Sequence, residues 1–176
     1  MDKAKLLQHL TALDRALRQP TQLYIYGSAA CILLDEPDRT SLDMDVAAPY
    51  SRADFADLQQ AATAAGFPVN PPPDFQGDHL EWISAVRLCL PPPQPGSDLL
   101  LWQGGKLTVT TGGIAELIAS KLIRYDPTDQ ADIQYLVTQR PLAHAAVAEA
   151  VARLPAPFAQ DPVVLDNLTN LQTDLA

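Results

Sequence analysis

The sequence predicts an α+β fold: a mixed β-sheet with helices packed on it, followed by a helical C-terminal section. Three observations carry this. Short apolar runs broken by glycine and proline dominate the first two thirds of the chain. Apolar residues at helical spacing fill the last third, from Ile114 onward. An amphipathic helix opens the sequence, so helices are available to cover the sheet.

Residues 2–18 place Leu6, Leu10, Leu13 and Leu17 on one stripe, and Pro20 stops the helix. Gln22 to Tyr26 reads as a strand. Gly27-Ser28 then turns into a short apolar helix from Ala29 to Leu34. Ser41 to Ala47 is the second strand, with Leu42, Met44 and Val46 on its apolar face. Ser51 is expected to begin a helix as part of a capping box with Asp54. Phe55, Leu58, Ala62 and Ala65 would be its buried face, with Gly66 at its end. Asn70 to Asp74, with three consecutive prolines, forces a loop. His79 to Leu90 reads as a third strand. Two shorter strands follow, near Leu99 to Trp102 and Lys106 to Thr110, joined at Gly104-Gly105. Helices are expected over 114–125, 128–139, 142–153 and 162–173. The division expected is an α/β core over 1–112 and a helical section over 113–176 packed on it as one compact unit.

Composition narrows the function classes. The chain has 176 residues and is 47% hydrophobic, enough for a packed core. Its 21 acidic and 12 basic residues give a net charge of −9. That argues against a broad phosphate-binding surface for nucleic acid, while leaving room for a local basic pocket. Cys31 and Cys89 lie in apolar runs and read as small hydrophobes, with no disulfide or zinc spacing. The N-terminal residues are not those of a signal peptide. No apolar stretch reaches the roughly 18–20 residues that span a membrane. A cytoplasmic protein with no membrane partner is expected.

Asp43 and Asp45 stand two apart in a predicted strand. Their side chains share one face, with Cα atoms about 6.5 Å apart. Paired carboxylates on a rigid strand suit a hard divalent cation such as Mg²⁺, or Mn²⁺, which takes one or two protein carboxylates plus phosphate oxygens. The bland alternative is a solvated strand face. Gly27-Ser28 entering a helix offers backbone N–H groups and a hydroxyl to an anion. Equally, Gly27 permits a tight turn and Ser28 caps the helix. Arg39 reads either as a phosphate contact, as a partner for the aspartates, or as a surface arginine.

Lys121 is the other anomaly. Ile114, Leu117, Ile118, Leu122 and Tyr125 define an apolar helical face, and Lys121 falls in the middle of it. A lysine there must snorkel, pair with an acid, or point into a polar cleft. Asp126-Pro127 reads as an N-cap followed by proline at the first helical position. Asp129 then complements the helix dipole, and it shares a face with Asp132, Ile133 and Leu136. His9, His79 and His144 are dispersed and make no metal spacing. Trp82 and Trp102 read as core or cleft wall.

The order strand, Gly-Ser, helix, Asp-x-Asp strand resembles the DNA polymerase beta-like nucleotidyltransferase superfamily. The nearer likeness is to bacterial nucleotidyltransferase-like proteins related to the abortive-infection toxins of type IV toxin–antitoxin systems. That group shows Gly-[Gly/Ser]-x-Ala and then Arg-x-[Ser/Thr]-x-Asp-x-Asp. Here Gly27-Ser28-Ala29-Ala30 and Arg39-Thr40-Ser41-Leu42-Asp43-Met44-Asp45 hold those places. The group also has a lysine on a later helix and Asp-x-x-Asp on the next, matched by Lys121 and Asp129-Gln130-Ala131-Asp132. The resemblance covers about residues 22–136. The chain departs from it in two ways. Fourteen residues separate Ser28 from Asp43, slightly more than in compact members. The third carboxylate of many polymerase-like members has no clear equivalent, although Glu81 lies on the right kind of strand.

The resemblance implies a Mg²⁺- or Mn²⁺-dependent transfer of a nucleoside monophosphate from an NTP to a hydroxyl or phosphate acceptor: RNA, protein or a small molecule. Asp43 and Asp45 would bind metal, and Gly27, Ser28 and Arg39 the nucleotide. Lys121 would neutralise triphosphate charge, and Asp129 would orient Lys121 or act as general base. A partner protein encoded alongside is also implied. The rival expectation is a protein that keeps the fold without turnover, as a binding or antitoxin-like partner.

Overall fold

The computed structural model describes residues 1–140 and 142–174. It is an α+β protein with a five-stranded mixed sheet. Contacts divide the chain into two units: Met1–Arg87 with Leu99–Thr111, and Leu88–Asp98 with Gly112–Ala176.

The first unit holds the whole sheet. Its elements are α1 (Lys3–Ala16), β1 (Thr21–Tyr26), α2 (Gly27–Leu33), β2 (Asp43–Ala47), α3 (Phe55–Ala64), β3 (His79–Ile83), β4 (Leu99–Gln103) and β5 (Leu107–Thr111). The strand order is β3-β2-β1-β5-β4. β1 is antiparallel to β2 and parallel to β5, β2 is parallel to β3, and β4 is antiparallel to β5. Leu6, Leu10, Leu13 and Leu17 are all buried, as the helical stripe requires. Leu23, Ile25, Met44, Val46, Leu80, Leu107 and Val109 supply the buried sheet positions. The turn between β4 and β5 is tied to α1: the Asp14 carboxylate accepts from the N–H groups of Gly105, Lys106 and Leu107 at 2.7–3.1 Å.

Several expectations are corrected. Ser51 does not cap the third helix. Its hydroxyl donates to the Ala47 carbonyl at 2.9 Å and accepts from the Tyr24 N–H at 3.0 Å, so it clamps β1 to the chain after β2. Asp54 is the cap, accepting from the Asp57 N–H at 3.0 Å. Phe55 is therefore the first helical residue and stays 42% exposed, its ring 5.4 Å from Trp82. Leu58 and Ala62 are buried, but Ala61 joins them rather than Ala65. Leu42 precedes β2 and is 69% exposed, so the apolar face of that strand is Met44 and Val46 alone. β3 ends at Ile83 rather than running to Leu90. A turn closes there, with the Arg87 N–H donating to the Ser84 carbonyl at 3.0 Å.

The second unit contains α4 (Ile114–Lys121), α5 (Pro127–Gln139), α6 (His144–Ala152) and α7 (Pro162–Asp174). Leu117, Ile118, Leu122, Ile133, Leu136, Val147, Val151 and Val164 are buried. Asp126 caps α5, accepting from the N–H groups of Thr128 and Asp129, with Pro127 at the first helical position. Among the described residues no helix is long and apolar enough to cross a membrane.

Candidate active site

The candidate site of the first unit is built on one face of β2 and β3. In β2 the apolar side chains of Met44 and Val46 are buried, while Asp43 and Asp45 are half-buried on the opposite face. The parallel register sets Asp43 beside His79 and Asp45 beside Glu81. Residues paired across a ladder share a face, so two aspartates, a histidine and a glutamate form a two-by-two block. Ligand atoms of Asp43, His79 and Glu81 all lie within 4.8 Å of one another.

The neighbouring strand completes the block. Asp45 pairs with Tyr26, the last residue of β1, and the chain enters α2 at the next residue. Gly27 has φ +67°, a left-handed conformation that lets the strand turn directly into a helix. The absence of a side chain matters as well. A Cβ on Gly27 would lie 2.6 Å from Oδ2 of Asp45, so the carboxylate occupies the space that any other residue would fill. The helix begins at Gly27 itself, two residues earlier than the sequence suggests.

Ser28 and Arg39 are brought together: the Arg39 guanidinium donates to the Ser28 hydroxyl, and also to the Thr40 carbonyl at 2.9 Å. Ser41 donates its hydroxyl to Oδ1 of Asp43 at 2.8 Å, which orients that carboxylate. On the far side Arg87 reaches Oε2 of Glu81 at 3.3 Å. Thus Gly27, Ser28, Arg39, Asp43 and Asp45 all belong to the first unit.

Lys121 and Asp129 belong to the second unit and form a group of their own. Of the three fates open to a lysine on an apolar face, the structure shows pairing. Lys121 is only 5% exposed, its ammonium donating to Asp132 and, at 3.4 Å, to Asp129. Asp129 also accepts two bonds from Arg124, at 2.8 and 3.0 Å. Those bonds raise the Arg124 pKa above its ordinary value, Asp129 being the main cause. Asp126 is held below the usual carboxylate range, first by the Asp129 N–H and then, against the cost of burial, by the charge of Arg124. Asp132, fully buried, carries the tighter contact to the lysine, so it matters at least as much as Asp129.

The structure adds two residues to the Asp43 and Asp45 pair: His79, which the sequence reads as dispersed and without metal spacing, and Glu81, which it leaves open as a third carboxylate. His79-Leu80-Glu81 repeats the spacing of Asp43-Met44-Asp45, and an i, i+2 pair in a strand shares a face. That pattern was legible. The partner strand and the register that set it beside Asp43 and Asp45 were not. The placement suits a divalent cation by donor chemistry: two carboxylates and one imidazole converge from two adjacent strands, with the Asp45 carboxylate next along β2 on the same face. Comparisons with protein-family models, curated proteins and solved structures find no match to this chain.

Proposed function

We propose that the first unit is the core of a divalent-metal-dependent nucleotidyltransferase, acting on an NTP and a hydroxyl or phosphate acceptor. The observation that carries the reading is the close approach of Asp45 to Gly27 beside the Asp43, His79 and Glu81 block. A strand-to-helix turn free of side chain and a row of carboxylates thus share one location. Phosphate needs the first and metal the second.

In this reading Asp43 and Asp45 hold Mg²⁺ or Mn²⁺, and Glu81 supplies the third carboxylate. A divalent ion bound there supplies charge neutralisation and polarisation of phosphate oxygens. Gly27 and Ser28 present the first turn of α2 to the phosphates, and Arg39 fixes the Ser28 hydroxyl while adding positive charge. The acceptor oxygen attacks the α-phosphorus. The bond from that phosphorus to the oxygen bridging to the β-phosphate breaks, and pyrophosphate leaves with the electron pair. The acceptor proton passes to a carboxylate or to solvent.

Lys121 as a triphosphate cation, and Asp129 as its orienting acid or a general base, enter through the resemblance. The buried ion pairing of Lys121 favours a second reading, in which the fold serves as a non-catalytic binding or antitoxin-like partner. The acceptor class, whether RNA, protein or small molecule, a partner encoded alongside, and a cytoplasmic setting belong to the same proposal.

Thermal unfolding with each NTP and Mg²⁺ or Mn²⁺ tests binding. A rise in midpoint that disappears in Asp43→Ala and Asp45→Ala supports the site. Equal midpoints with and without every NTP would remove it.

A further inference from the structure

We propose that Asp43, His79 and Glu81 form a binding site for a first-row transition-metal dication such as Mn²⁺, and that His79 Nε2 is one of its ligands. The inference rests on the proposed reading in one respect: the ion is the one the transfer would use. Its argument comes from His79.

The His79 ring is built into place. Its Nδ1 lies 3.0 Å from the Gly77 carbonyl, an acceptor only, so Nδ1 carries the proton. In the neutral ring Nε2 then presents a lone pair. The edge-on contact with Phe75, centroids 6.1 Å apart, steadies the ring from another side. That contact needs Gly77, because a Cβ there would lie 2.9 Å from the Phe75 ring. A metal-ligating histidine shows this arrangement as a rule: the distal nitrogen bonded to a carbonyl, the near nitrogen left for the ion.

Nε2 is aimed at oxygen atoms yet bonds none of them. It stands 3.9 Å from Oε1 of Glu81, too far for a hydrogen bond. All three ligand atoms lie within 4.8 Å of one another. A nitrogen lone pair facing carboxylate oxygens at that range is repulsive, and a metal ion shared among them removes that repulsion. An ion about 2.1 Å from each ligand needs roughly 3.0–3.5 Å between ligands, so small side-chain rotations close the set. The parallel register of β2 and β3 presents Asp43, His79 and Glu81 from fixed backbone.

The donor set decides the class of ion. Carboxylates alone suit Mg²⁺, which prefers oxygen and keeps its waters. An imidazole among them shifts preference away from Mg²⁺ toward first-row dications, Zn²⁺ more strongly than Mn²⁺, which the carboxylates also suit. The Asp-x-Asp spacing alone makes no such distinction.

The test titrates Mn²⁺, and separately Mg²⁺, into the metal-free full-length chain by calorimetry, without nucleotide. The expected result is Mn²⁺ bound at least about tenfold more tightly than Mg²⁺. His79→Ala and His79→Asn should each weaken Mn²⁺ by about 10- to 100-fold while changing Mg²⁺ by less than about threefold. Echo-modulation spectroscopy of bound Mn²⁺ should show coupling to an imidazole nitrogen in the unsubstituted chain and lose it in both variants. Circular dichroism confirms that at least one variant is folded. Unchanged Mn²⁺ affinity in a folded variant, or no nitrogen coupling in the unsubstituted chain, overturns the inference. NTP binding on the same samples separates the two proposals. Nitrogen-coupled Mn²⁺ without NTP binding upholds this site and removes the transferase. NTP binding with Mg²⁺ that ignores His79 does the reverse.

Discussion

Gly27 and Asp45 are mutually dependent. The carboxylate of Asp45 lies where a Cβ of residue 27 would be, 2.6 Å from it, and Gly27 holds a φ of +67° that other residues adopt at a cost. One glycine therefore serves both the turn from β1 into α2 and the placement of an acid at the start of that helix. Gly27→Ala should lower stability by about 1–2 kcal/mol through the left-handed backbone alone. It should also push Asp45 aside and weaken metal binding in the folded variant. Chemical denaturation and metal titration on one preparation measure both. A variant with unchanged stability and unchanged metal affinity would show that the approach is incidental.

Lys121 offers a separate test, confined to the second unit. Its ammonium is buried and shared by Asp129 and Asp132. Removing it takes the ammonium away from the fully buried Asp132, while Arg124 still answers Asp129. Lys121→Met should cost about 3–5 kcal/mol, and adding Asp132→Leu should restore much of the loss. Urea unfolding of the single and double variants reads this directly. If Lys121→Met were neutral or stabilising, the lysine would be held there against the interests of folding. That outcome would favour the chemical role which the resemblance implies.

Asp57 gives a pH dependence. The Arg18 side chain donates to it at 2.7 Å, and the N–H groups of Arg18 and Gln19 both donate at 2.9 Å. The guanidinium bond, with help from the two N–H groups, holds its pKa below the usual carboxylate value despite the opposing cost of burial. A carboxylate whose pKa is depressed in the folded chain adds stability above its unfolded pKa, and loses it as pH falls through the folded one. The contribution of Asp57 should therefore be intact at neutral pH, begin to fall near the ordinary carboxylate value of about pH 4, and be lost only below the depressed folded pKa. Stability measured against pH should fall less steeply in that acid range for Asp57→Asn than for the unsubstituted chain. Parallel curves would remove Asp57 from the account.

The sequence carried the local parts of this structure well. The stripe of Leu6, Leu10, Leu13 and Leu17, the Gly104-Gly105 turn and the Asp126-Pro127 start of α5 all depend on neighbours a few residues away. The errors arose where distant chain decides. Ser51 has the chemistry of a helix cap, but the backbone of Tyr24 claims its hydroxyl. His79 to Leu90 has the composition of one strand, but a turn follows Ile83 and Leu88–Asp98 joins the other unit. The Asp43 and Asp45 pair was legible because strand periodicity fixes it. That His79 and Glu81 stand beside it follows from a parallel register across more than thirty residues, which no local pattern encodes.

The central claim is that Asp43, Asp45 and their neighbours support nucleotidyl transfer. The most direct measurement incubates the purified chain with each NTP labelled at the α-phosphate, Mg²⁺ or Mn²⁺, and a cell extract as the source of acceptors. Asp45→Asn, verified as folded, is run in parallel. The unsubstituted chain should pass label to an acceptor with release of pyrophosphate, and Asp45→Asn should pass at least about a hundredfold less. Equal label with Asp45→Asn, or none above extract alone with any NTP and either ion, would contradict it.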